Sequence, residues 1–82
     1  MGKTNKNSKP YCFNHTKERM FERHNLDLTR EDYNALCTKY NSHESIKIIS
    51  IEKNQHVFET TYKKLKLRFV WCDKRETITT VF

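Results

Sequence analysis

The chain has 82 residues but only one glycine, one proline and three cysteines, and no apolar run longer than a few residues. Each shortage excludes something. A single Gly near the start cannot build a glycine-rich loop whose backbone N–H groups cradle phosphates, so P-loop and dinucleotide-binding folds are ruled out. No stretch approaches the roughly 20 apolar residues of a membrane span, and none reads as a signal peptide. The expectation is a soluble, cytoplasmic protein with no membrane partner. Cys12, Cys37 and Cys72 are odd in number, widely spaced and lack a C-x-x-C pair. Secreted domains of this size usually carry an even, dense set, so free thiols in a reducing compartment fit better. Together with His15, His24, His43 and His56, the cysteines make no finger-like spacing. No metal and no small-molecule cofactor is expected.

Acidic residues are also in short supply, ten against sixteen Lys and Arg, for a net charge of +6. That excess favours a polyanionic partner. Hydrophobic content is low at 35%, but 12% aromatic residues supply large bodies to bury, so one small core is feasible and a second is not.

Residues 1–10 contain no apolar residue after Met1 and carry Lys3, Lys6 and Lys9. Such a segment cannot repay the entropy of ordering, so a disordered basic tail closed by Pro10 is expected. Residues 11–82 then form one domain, with 13 basic and 10 acidic residues.

The domain begins with period 3.6 and ends with period 2. A first helix is expected over residues 14–24, with Asn14 as N-cap and Phe13, Met20 and His24 on one face. A second is expected over residues 29–40. Thr29 and Asp32 suit a capping box, Leu28 and Tyr33 a hydrophobic staple, and Tyr33, Leu36, Cys37 and Tyr40 one apolar stripe. Strands are expected over residues 46–52, 56–62, 65–72 and 77–82, and the slip in alternation at Ile48 and Ile49 suggests a bulge. Short turns between them dictate an antiparallel meander. The fold class is therefore α+β: two N-terminal helices packed on a four-stranded antiparallel sheet.

His15, Arg19 and Arg23 recur every four residues and share a helix stripe. A histidine can donate or accept a proton near neutrality, and arginines offer planar donors to phosphate oxygens. The same stripe can equally be a solvated face, with Glu18 and Glu22 as partners. Lys66 and Arg68 alternate away from the core in the third strand, with Lys47 as a neighbour from the first; they are candidate phosphate contacts or ordinary solvent-face residues. Thr77 and Thr79 can donate hydroxyl hydrogen bonds, although threonine is also a favoured strand residue.

The run from His15 to Arg23 (HTKERMFER), followed by Leu26 to Tyr33 (LDLTREDY), resembles the opening of small proteins of the domain-of-unknown-function 4258 group. The closing segment, Leu67 to Asp73 and then ETITTVF, resembles their C-terminal hairpin. That group is similar to the barnase–EndoU–colicin–RelE superfamily of metal-independent ribonucleases and toxins. The resemblance implies a RelE/barnase-like fold in which RNA lies against the sheet and is cleaved through its own 2′-hydroxyl. It implies His15 as acid or base, Arg19 and Arg23 on the phosphate, and Thr79 as a further site residue; His56, opening the second strand, is a separate candidate partner for His15. Three functions stay open: a toxin-like endoribonuclease, a non-catalytic nucleic-acid-binding protein using Lys47, Lys66, Arg68 and the tail lysines, and an inhibitor or modulator that binds a protein such as an antitoxin or target.

Overall fold

In the computed structural model, backbone is described from residue 3 and side chains over residues 11–82. The expected basic tail, with Lys3, Lys6 and Lys9, falls outside the residues whose side chains are described. The chain order is α1 (Lys3–His24), α2 (Arg30–Ser42), β1 (Ile46–Glu52), β2 (Gln55–Tyr62), β3 (Leu65–Cys72) and β4 (Thr77–Val81). The strands form one antiparallel sheet in the order β1-β2-β3-β4. This is the α+β meander expected from the change of period. Among the described residues no helix is long and apolar enough to cross a membrane.

The start of α1 differs from expectation. Tyr11, Cys12 and Phe13 are already helical, so Asn14 is an interior residue rather than an N-cap. The extension creates a buried stripe that begins one turn earlier, with Cys12, Thr16 and Met20 at 1%, 0% and 0% exposure. Thr16 is accommodated because its hydroxyl donates back to the Cys12 carbonyl at 2.8 Å.

α2 is built as its sequence indicates. The Thr29 hydroxyl accepts from the Asp32 N–H at 3.1 Å, and Leu28 and Tyr33 are both buried around that cap. The capping box is only half closed, because the Asp32 carboxylate instead accepts the hydroxyl of Tyr62. At the C-terminus His43 turns left-handed at φ 54°, and the Glu44 N–H returns to the Lys39 carbonyl at 3.1 Å. This is a Schellman ending made without glycine.

Both helices cover the same face of the sheet. Phe58, Leu67, Phe69, Trp71, Ile78 and Val81 point into that layer and meet Met20, Leu28, Tyr33, Leu36 and Tyr40, with Phe13 packed against them. Tyr40 stacks on Trp71 at 4.4 Å between centroids and sits 4.9 Å from Phe58. Aromatic residues thus close a core that the aliphatic content alone would leave thin. The register of β1 against β2 slips between Ile48 and Ser50, so Ile49 is the extra residue of the anticipated bulge.

The two edges of the sheet are treated differently. Phe82 donates its N–H to the Arg68 carbonyl at 2.9 Å, so the alternate residue Val81 turns its carbonyl outward from β4. Arg23 of α1 donates to that carbonyl at 3.1 Å. α1 therefore covers one edge, and β1 forms the other.

Candidate nucleic-acid interface

The second face of the sheet carries no helix, and strand alternation decides what it presents. Phe58, Thr60 and Tyr62 are buried under the helices, so Val57, Glu59 and Thr61 face the opposite way. The register extends this into cross-strand rows. Thr61 stands opposite Lys66; Lys47 stands opposite Glu59 and Glu59 opposite Arg68; Ser50, Val57, Val70 and Thr80 form a third row; Glu52, Gln55 and Cys72 a fourth. Four rows two residues apart span about 20 Å along the strands.

Charge on this face is concentrated toward its two ends. At one end Lys47 and Lys66 line a shallow groove of about 260 Å³ with Ser45, Glu59 and Thr61. Arg68 adjoins it and approaches Glu59 at 3.5 Å. At the other end Lys74 and Arg75 line a groove of about 300 Å³ with Asn54, Gln55, Cys72 and Thr79. Among the described residues Lys47, Lys66 and Lys74 form no ion pair with an acidic side chain. Between the ends Val70 is 7% exposed, although it alternates away from the helices.

The expected sheet contacts Lys47, Lys66 and Arg68 are therefore brought together. Lys74 and Arg75 line the groove at the far end, with the Arg75 guanidinium 3.8 Å from Cys12 Sγ of α1; neither was expected there, because both fall between the third and fourth expected strands. Two basic residues in a tight turn were the available signal, but composition does not say which face a turn presents.

The helical stripe sits on α1, which packs on the other face of the sheet and along its β4 edge. His15 is half-buried, with its ring stacked on Tyr11 at 6.0 Å and 17°. Arg19 pairs with Glu22 at 3.2 Å, the solvated-helix alternative for that residue. Arg23 binds the edge carbonyl of Val81, and His24 Nε2 lies 2.6 Å from the Phe82 carbonyl. Thr79 donates to the Val70 carbonyl at 3.4 Å and shares its groove with Arg75. Among the described residues no hydrogen bond or ion pair links His15 to Arg19, Arg23, Thr79, Lys66 or Arg68. His56 is engaged elsewhere, its Nδ1 meeting the hydroxyl of Tyr40.

No group of three or more His, Cys, Asp or Glu side chains suited to a metal ion occurs among the described residues. The thiols of Cys12, Cys37 and Cys72 are free. Comparison of the chain with family models, characterised proteins and solved structures finds no match.

The chemistry of the open face is that of an anion-binding surface. Ammonium and guanidinium groups stand at both ends with hydroxyl donors beside them, and the register puts one exposed aromatic residue, Phe82, opposite Arg68. Phosphate contact is the main chemistry the side chains offer, with Phe82 at the β4 edge as one ring on which a base could stack.

Proposed function

We propose that the protein binds RNA in the cytoplasm by laying the phosphate backbone of a single strand across the open face of its sheet. The supporting observation is that Lys47, Lys66 and Arg68 stand on the uncovered face at one end, while Lys74 and Arg75 line a groove at its other end, where the Arg75 guanidinium also reaches Cys12 of α1. A charge arrangement about 20 Å long suits an extended polyanion better than a compact one. The resemblance to the barnase–EndoU–colicin–RelE superfamily points the same way, because RNA in those folds lies against the sheet.

Binding is favoured over cleavage on one ground. Metal-independent cleavage requires a proton-transfer group within reach of the phosphate contacts. His15 stacks on Tyr11 on α1, and no hydrogen bond joins it to the arginines or to Thr79. Incubation with labelled RNA in EDTA distinguishes the two readings. Retarded, intact RNA is the expected outcome; products ending in 2′,3′-cyclic phosphate would replace the binding reading with the endoribonuclease one. Absence of both retardation and products at low salt would overturn an RNA-directed function and leave a protein partner.

A further inference from the structure

β1 is the edge that the fold leaves open. α1 covers β4, and among the described residues β1 pairs only with β2. Proteins usually blunt such an edge with charge, proline or brevity. β1 carries Lys47, Glu52 and the bulge, yet it runs Ile-Lys-Ile-Ile-Ser-Ile-Glu and leaves Ile48 37% and Ile51 64% exposed.

The bulge makes this strand complementary to itself. Ile48 stands opposite Phe58 and Ile51 opposite His56, two positions apart on β2, so both isoleucines lie on the helix-covered face. Lys47 stands opposite Glu59 and Glu52 opposite Gln55, so the two charges lie on the open face. Without the extra residue at Ile49, positions 48 and 51 would fall on opposite faces, as would 47 and 52.

We propose that β1 pairs antiparallel with β1 of a second copy about a two-fold axis, placing Lys47 opposite Glu52 of the other chain and Ile48 opposite its Ile51. An antiparallel ladder requires partners on the same face, and this register satisfies that at both kinds of pair. It joins opposite charges twice and covers both exposed isoleucines twice, which makes it an isologous contact. Among the described residues neither Lys47 nor Glu52 has an ion-pair partner within the chain. The result is a continuous eight-stranded sheet with the helices of both copies on one side. A single seven-residue edge is smaller than a standard interface of about 1,600 Å², so the dimer belongs to the weak, concentration-dependent class.

Sedimentation equilibrium from low micromolar to near-millimolar protein tests this, with circular dichroism confirming that each variant is folded. Wild type is expected to pass from monomer to dimer over that range. Glu52→Lys should raise the dissociation constant by about tenfold or more, and Ile51→Lys should remove the dimer. The doubly exchanged Lys47→Glu/Glu52→Lys chain should recover it, since the cross-strand charges are again opposite. A wild type that stays monomeric throughout would overturn the proposal. So would a folded Glu52→Lys variant that dimerises as wild type does, or a charge exchange that fails to rescue. RNA binding is a separate measurement, and its outcome does not enter this one.

Discussion

Tyr33 fastens α2 to β4: its hydroxyl lies 2.5 Å from Thr77 Oγ1 and 2.5 Å from the Ile78 carbonyl. The ring itself is 3% exposed and meets Phe13 edge-on at 5.2 Å. One side chain therefore joins the first helix, the second helix and the last strand. Tyr33→Phe keeps the ring but strands the Ile78 carbonyl in the core. The expected cost is about 1–3 kcal/mol, the penalty for a buried acceptor left without its partner, measured by urea unfolding.

The buried tyrosines also set a limit at high pH. Burial, above all, pushes the phenols of Tyr33, Tyr62 and Tyr40 upward; for Tyr62 the Asp32 carboxylate beside it adds to the shift. Below the ordinary tyrosine value near 10 both the folded and unfolded chains keep these protons, and stability is unaffected. Above it the unfolded chain releases protons that the folded chain retains, so stability falls as pH rises toward the folded values. Circular dichroism should show cooperative unfolding above about pH 10, with tyrosinate absorbance from these rings rising in step. Tyrosinate appearing from Tyr33 and Tyr62 in a chain that remains folded would contradict their placement.

Scarcity of glycine leaves a measurable strain in the turns. Among the described residues seven non-glycine residues hold positive φ, including the consecutive pair Lys63 and Lys64 at 50° and 70°. That pair closes the β2–β3 hairpin as a two-residue loop, which requires positive φ at both positions. Lys63 is held besides, with its Nζ 5.4 Å from the Tyr62 ring and 3.4 Å from the Asp27 carbonyl. Lys64→Gly is therefore the informative change. It should relieve about 1–2 kcal/mol of left-handed strain at a cost of roughly 0.5–1 kcal/mol in unfolded-chain entropy. A small rise in thermal midpoint is expected, and a fall would show that the turn is not built this way.

What the sequence revealed follows from how locally each feature is determined. α2 was legible in nearly every particular because Leu28, Thr29 and Tyr33 declare its start within one turn. The bulge was legible because two adjacent β-branched residues break strict alternation. Cys12 was not placed on the helix, because nothing in residues 11–13 announces a helix as clearly as Asn14 announces a cap. The pairing of Asp32 with Tyr62, thirty positions later, depends on how α2 lies across β2, and no spacing encodes it. For the site, alternation placed Lys66 and Arg68 on one face, but the company of Lys74 and Arg75 depends on the geometry of a turn. The helical spacing of His15, Arg19 and Arg23 correctly put them on one helix, yet their partners, Tyr11, Glu22 and Val81, come from three different directions.

If the open face binds RNA as proposed, salt reports the number of phosphates it neutralises. Lys47, Lys66, Arg68, Lys74 and Arg75 supply about five contacts, and each contributes about 0.7 to the slope for a single strand. The logarithm of affinity should therefore fall with the logarithm of salt at a slope of about −3 to −4, whatever the RNA sequence. Lys66→Ala should reduce the slope by about 0.7 and weaken binding at low salt, with thermal stability within about 0.5 kcal/mol of wild type because the residue is exposed. Arg75→Ala should act similarly from the far end of the face, although its guanidinium also lies 3.8 Å from the buried Cys12 sulfur, so a modest loss of stability is expected with it. His15→Ala is the contrast: it lies on α1 away from these rows and should leave both slope and affinity unchanged. Filter binding of the three variants over a salt series measures all of this. A His15 variant that loses affinity while Lys66→Ala and Arg75→Ala retain it would move the interface from the sheet to the helix.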